Sequence, residues 1–234
     1  NYNGSQGPRF NLVLGTVGVS IDSTSGMDLN NTSTETIHFT FSPVIKEWYH
    51  IALTRESNDF HIYVDGRLHR SYVGNTSAYS PTNNGILIGD YSDNYTTGSS
   101  RISNFRIVKG TAVYTNSVFP RPTAPLNNIS GTVLLTCRGS TITDGSSSSH
   151  SITVNGNAAA ANVQGNDPYF GFNGLNEYLP FRNPLTLNTN DGLTLVFVLQ
   201  GYATQSNSQW NNIYTYRDGS SNNYFELGSY GTGT

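Results

Sequence analysis

The stretch from Glu47 to Gly66, EWYHIALTRESNDFHIYVDG, constrains the fold more than any other part of the chain. Tyr49, Ile51 and Leu53 alternate with Trp48, His50, Ala52 and Thr54, the period of two that belongs to a strand with two different faces, and both faces carry bulk. The polar residues Glu56, Ser57, Asn58 and Asp59 form a short connection. The return limb sets Phe60, Ile62 and Val64 against His61 and Tyr63. If Arg55 pairs with Phe60 across this hairpin, His61 faces Thr54, and His50 runs past the last paired residues. Asp65-Gly66 supplies the positive φ angles of a tight turn, so a third strand is expected near Leu68.

A strand meander of this kind agrees with the composition. Only 12% of the 234 residues are charged, about half the usual share. Asn, Ser, Thr, Gly and Tyr take their place, which suits an all-β chain with many turns and a hydroxyl- and amide-rich surface. A formal net charge of −3 with scattered basic residues offers no footprint for nucleic acid or an anionic membrane. No apolar run approaches the roughly 20 residues that span a bilayer, and Asn1 to Phe10 does not read as a signal peptide. The first residue is not Met, so a processed chain or a piece of a longer one is expected.

The single cysteine excludes an internal disulfide framework and any Cys-rich metal site. Alternation in Val133-Leu134-Leu135-Thr136-Cys137 places Val133, Leu135 and Cys137 on one face, with Cys137 as a small core residue. Pro120, Pro122 and Pro125 forbid a helix and disfavour a central strand. With the polar run that follows, they place a boundary at about residue 128. Thr111 to Tyr114 has room for one helical turn before this exit, and the alanines 158–161 read as a strand end or loop. A weak repeat is visible as well: Phe10 to Phe225 and Leu12 to Leu227 share a spacing of 215 (225 − 10 and 227 − 12).

The residue types that could carry chemistry are sparse. A retaining glycosidase needs two carboxyl groups about 5 Å apart. The closest acidic pairs here, Glu56 with Asp59 and Asp90 with Asp93, are three apart in expected loops, and no Glu-x-Asp-x-Glu element exists. His38, His69 and His150 stand in separate segments without metal-ligand spacing. The loop from Gly89 to Ser99 is the best candidate ligand site. Asp90, Asp93 and Asn94 offer hard oxygen ligands to calcium, while Tyr91 and Tyr95 can stack on a sugar or pack on a neighbouring subunit. A solvated hairpin tip rich in turn formers accounts for the same residues. A second tip, Gln205 to Asn212, carries Trp210 as a contact residue, and Trp48, among apolar neighbours, reads as core. Asn-x-Ser/Thr sequons such as those at Asn31, Asn75, Asn94 and Asn128 are what chance gives in so Asn- and Thr-rich a chain.

The elements Trp48-Tyr49-His50-Ile51-Ala52 with Tyr63-Val64-Asp65-Gly66, then Ile86-Leu87-Ile88-Gly89, then Ile102 to Gly110, then Phe119-Pro120-Arg121-Pro122-Thr123-Ala124-Pro125-Leu126, follow one another in an order that resembles the laminin-G/concanavalin A-like lectin family. With the proline-rich exit, they are similar to the tandem modules of structural proteins in tailed phages, marine ones especially. Thr132 to Cys137, Ile152 to Ala158, Phe172-Asn173-Gly174 with Tyr178-Leu179, and Leu193 to Val198 resemble strands of the next module. At Val196 and Leu199 the sequence departs from the aromatic or acidic residue usual there.

The resemblance implies an all-β fold, an antiparallel β-sandwich of the concanavalin A-like jelly-roll type. It implies that residues 1–127 are the C-terminal portion of one laminin-G-like module and 128–234 the N-terminal portion of a second, with a complete module about as long as the observed spacing. It also implies a non-enzymatic virion surface protein, on a tail fibre or capsid, that binds host-surface glycans or neighbouring virion subunits and forms a homo-oligomer. A bacterial surface adhesin and an ancillary carbohydrate-binding domain of a larger enzyme are the alternatives. Two half-modules would leave open strand edges, unless the halves pack together as a permuted single sandwich.

Overall fold

The computed structural model of the chain describes residues 13–15, 18–24, 34–39, 44, 47–73, 86–89, 100–162, 168–172, 178–181, 191–201, 210–217 and 224–230. Fifteen strands are described: β1 Val13–Gly15, β2 Gly18–Thr24, β3 Thr34–Phe39, β4 Trp48–Glu56, β5 Asp59–Val64, β6 Arg67–Tyr72, β7 Ile86–Ile88, β8 Ser100–Lys109, β9 Thr132–Thr136, β10 Ala159–Asn162, β11 Pro168–Phe172, β12 Leu179–Phe181, β13 Leu193–Gly201, β14 Trp210–Arg217 and β15 Tyr224–Tyr230. Among the described residues there is no helix. One sheet runs β12-β7-β14-β15-β1-β2-β3, the other β10-β11-β8-β13-β4-β5-β6 with β9 also paired to β8. All pairs are antiparallel except β1 with β15. The fold is thus the expected all-β antiparallel sandwich of the concanavalin A-like jelly-roll type.

The hairpin that opened the sequence reading forms in the expected register. Thr54 pairs with His61, Arg55 with Phe60 and Glu56 with Asp59, while the last pair, Ile51 with Val64, leaves His50 beyond the ladder. Asp65 and Gly66 take φ of 48° and 77°, and β6 follows. The odd residues of β4 face the other sheet. Ile51, Leu53, Phe60, Ile62 and Val64 join Ile102, Phe105, Ile107, Phe170, Leu195 and Phe197 in a buried cluster that also takes in Ile88 of β7 and Leu179 of β12. Burying such side chains supplies about 1.5–3 kcal/mol each.

Strand β13 holds the centre of the second sheet. It pairs along its length with β4, Leu195 opposite Leu53 and Phe197 opposite Ile51, and on its other side with β8. Strands from residues 128–234 therefore alternate with strands from 1–127 in both sheets: β13 lies between β8 and β4, and β7 between β12 and β14. In this chain the two portions close on each other in the manner of a permuted single sandwich. The parallel pair sets Val13 beside Gly228, separated by the same 215 residues (228 − 13) as the sequence repeat.

Some local expectations need correction. Val133, Leu135 and Cys137 do not share a face. A register shift between Ile107 and Val108 puts Val133 with Leu134 on the inter-sheet side, and Cys137, past the end of β9 at positive φ, returns to that core, while Leu135 joins a second cluster on the opposite face. Cys137, at φ 58° just beyond β9, is fully buried, and burial raises its thiol pKa, as befits an inert core residue. Thr111 to Tyr114 forms no helical turn. Ile152 to Ala158 forms no strand; it touches β12 and its approach through Asn155 bonded to Tyr178 and Thr153 bonded to Pro180.

Candidate functional site

Of the residues singled out in the sequence, Asp90, Tyr91, Asp93, Asn94 and Tyr95 lie outside the described residues. Trp210 opens β14, in register with Tyr230, and so begins a strand instead of sitting inside a connection. Among the described residues, no group of three or more His, Cys, Asp or Glu side chains could hold a metal ion.

The described chemistry gathers on the outer face of the second sheet, the side turned away from the first. Even-numbered residues of β4 point there, and the register carries the face across neighbouring strands: Ala52 opposite Tyr63 and Val196, His50 opposite Val198, Trp48 opposite Gln200. β8 continues it with Arg106 beside Val196 and Arg101 beside Gln200. One half of this face is closed by the segment 110–126, a strap whose prolines keep it from helix and regular strand, with Val118 making an isolated antiparallel bridge to Arg67.

The strap is fixed by apolar contact and by a scatter of hydrogen bonds. Ala52, Tyr63, Leu126, Leu135 and Val196 form the second buried cluster, against which Leu68, Tyr114 and Phe119 pack. Tyr114 and Phe119 stack on each other at 3.9 Å, and both meet Tyr63 edge-on. The hydroxyls of Thr54 and Tyr63 donate to the Tyr114 carbonyl at 3.1 and 3.2 Å. Val113 N donates to Thr194 Oγ1, Leu68 N to Ser117 O and Phe119 N to Gly66 O, each at 2.8 Å. At the exit, Asn104, in the left-handed region at φ 56° where β8 bulges against β13, accepts Leu126 N on its side-chain oxygen. Gly66 is glycine for two reasons: its φ is positive, and a Cβ there would collide with the Phe119 carbonyl.

Beyond the strap, the same face ends in a different set of side chains. Trp48, Gln200, Arg101 and Tyr169 form a band across β4, β13, β8 and β11. The Trp48 and Tyr169 rings lie 5.9 Å apart, the Arg101 guanidinium sits 4.4 Å from the Tyr169 ring centroid, and Arg101 Nη1 donates to Gln200 Oε1 at 3.2 Å. Tyr169 (9% exposed) and Gln200 (6%) form the floor, with half-buried Trp48 and Arg101 reaching solvent. Trp48 is therefore no inter-sheet core residue: it packs on the outer face. Aromatic faces flanked by an amide and a guanidinium suit a polyhydroxylated ligand, since rings cover apolar C–H faces while the polar groups exchange hydrogen bonds with hydroxyls. The band contains no carboxylate and offers no acid–base pair.

Between band and strap lies His50. It is fully buried, and among the described residues neither ring nitrogen has a hydrogen-bond partner. Tyr114 and Phe119 meet its ring edge-on at 5.9 and 5.7 Å. Its backbone N–H donates to Asp65 Oδ1 at 2.9 Å, and Arg121 of the strap reaches the same oxygen at 3.4 Å and the Trp48 carbonyl at 3.5 Å. Burial holds the His50 pKa down at about 4. Burial likewise raises the Tyr114 hydroxyl and lowers the Arg106 guanidinium, each partly opposed by the other.

A cavity of about 250 Å³ is lined by Pro125, Leu135, Arg138, Gly139, Thr141, Thr143 and Gly145. Its wall is stiff. Asp144 accepts from Leu135 N, Ser146 N, Ser146 Oγ and His150 N, and Arg138 Nη1 donates to the Leu126 carbonyl at 2.6 Å.

Residues 3–113 match the family model of the concanavalin A-like lectin/glucanases superfamily, of laminin-G type. No curated protein matches the chain. The matched segment holds β4 to β8, hence Trp48, His50 and Arg101, and stops within the strap; Tyr169 and Gln200 lie beyond it. The superfamily spans lectins and glucanases, and the match supports a carbohydrate-binding or structural role.

Proposed function

We propose that this chain is a non-enzymatic, lectin-like module of a virion surface protein, on a tail fibre or capsid, that binds host-surface glycans or neighbouring subunits. The observation that carries the reading is the outer-face band of Trp48, Gln200, Arg101 and Tyr169, with two rings tilted at 59° to each other and hydrogen-bonding groups side by side. The superfamily match supports carbohydrate as the ligand class. The resemblance of the motif order and of the Phe119 to Leu126 exit to tandem phage modules supports the virion, and the sequence repeat of 215 residues (225 − 10) supports a tandem array. Three of the described carboxylates are engaged elsewhere: Asp144 within its own loop, Asp191 with Lys109 at 3.9 Å, and Asp65 with Arg121.

Binding of the labelled chain to a panel of neutral and acidic polysaccharides tests the site. Binding that Trp48→Ala and Tyr169→Ala abolish and Trp48→Phe retains is expected. A panel that stays blank, or binding indifferent to all three, overturns it. Antibody to the chain should decorate intact tailed particles; decoration of a bacterial cell wall in their absence would assign the module to an adhesin instead.

A further inference from the structure

A histidine fully out of solvent, with both ring nitrogens unpartnered, is costly to keep in a fold unless it remains neutral. His50 stands beneath the strap, against the edges of Tyr114 and Phe119, and its ring nitrogens have no hydrogen-bond partner among the described residues. We propose that the strap is an acid-operated latch: protonation of His50 drives residues 110–126 off the outer face and uncovers Ala52, Tyr63, Leu135 and Val196. This inference concerns the strap alone and holds whatever the ligand of the neighbouring band.

The surroundings of His50 favour that outcome. The strap presents Arg121 and the Tyr114 hydroxyl, β8 presents Arg106, the turn between β5 and β6 presents Asp65, and the neighbour on β13, Val198, carries no charge. Both guanidinium groups repel a second cation, and Asp65 is the one charged group among the described residues that opposes them. The Asp65 Oδ1 atom already accepts the His50 backbone N–H and lies 3.4 Å from Arg121. Desolvation is the largest influence and acts against charge. With the strap closed the histidine titrates at about 4; once open to water it returns towards its ordinary value of 6.5. A base whose pKa is lowered in the closed form contributes its full stabilisation above 6.5 and loses it as pH falls towards 4. The latch is thus tight at neutral pH and slackens through that window.

The strap carries its own reporters. Its hold on the sheet includes the amides of Val113, Phe119 and Leu126, bonded to Thr194 Oγ1, Gly66 O and Asn104 Oδ1. Hydrogen exchange of the full chain at pH 7 and pH 4, corrected for intrinsic rates, should show protection at these amides falling by about two orders of magnitude, while β13 amides keep theirs. In His50→Leu the fall should vanish. In His50→Gln, neutral throughout, protection should be the same at both pH values whatever its level, which keeps the test decisive should the leucine variant fail to fold. Unchanged protection in the parent chain, a fall of equal size in the His50 variants, or a fall shared by β13 would each overturn the latch. The second of these outcomes would assign the acid response to a group other than His50.

Discussion

On the outer face of the second sheet β4, β13 and β8 run through both halves, yet the halves have opposite chemistry. At the level of Ala52 and Val196 it is apolar and roofed by Tyr114 and Phe119; at the level of Trp48 and Gln200 it is aromatic and polar, and it reaches water. The two levels are four residues apart on β4 and on β13, so side chains at both point the same way. What differs is the cover. A sheet face left open must be solvated, and the half that no described segment roofs carries groups that hydrogen-bond as well as rings that pack. Position within a fold therefore does not identify a binding face; the absence of a roof together with mixed side-chain character does.

Substitutions should separate the halves cleanly. The largest effect is expected at Tyr63, fully buried under the strap: Tyr63→Ala removes a ring from a site that cannot refill, costing about 3–5 kcal/mol by chemical denaturation. Phe119→Ala, at a half-buried position in the strap itself, should cost about 2 kcal/mol and leave the β4–β13 ladder protected in hydrogen exchange. Trp48→Ala should reverse the balance, costing about 1 kcal/mol of stability but weakening polysaccharide binding about tenfold, as affinity electrophoresis would read. Equal stability losses at Tyr63 and Trp48 would show that both halves are core and end the distinction. Smallest is Arg121→Ala: its exposed pair with Asp65, at 3.4 Å, should shift stability by less than about 1 kcal/mol, and less again in high salt.

Much of the fold was legible because its signals are local. The alternation in β4 and β5 with the Asp65-Gly66 turn fixed the hairpin to the residue, including His61 opposite Thr54. The run Leu193 to Val198 was recognised as strand, and the prolines 120, 122 and 125 as an exit. The candidate site was not legible, since Trp48, Gln200, Arg101 and Tyr169 come from four strands and meet only through long-range register. Period-two reading shows that Trp48 and His50 share a face. It does not show which of the two faces is roofed, and Trp48 was therefore misplaced in the core. Alternation also failed on both sides of Leu135: a register shift in the β8–β9 pair turns Val133 inward, and the positive φ of Cys137 beyond the strand turns that residue inward too. The buried cation at Arg55 left no local trace either: its Nε is satisfied by Ser57 O and its guanidinium lies 5.3 Å from the Phe60 ring centroid, contacts that only the closed hairpin makes.

The central place of β13 sets an order of events for a chain that is made from its N-terminus. β4 and β8 are synthesised early but have no ladder to each other; the strand that joins them is separated from β8 by more than 80 residues, 193 against 109. Until β13 emerges, the two hairpin-bearing segments must wait as unpaired edges, and closure pays the loop entropy of a distant contact before any sheet-wide reward returns. Assembly of this sandwich should be slow and late, completed by insertion of a middle strand, and the nascent chain is most prone to aggregate while that slot stands empty.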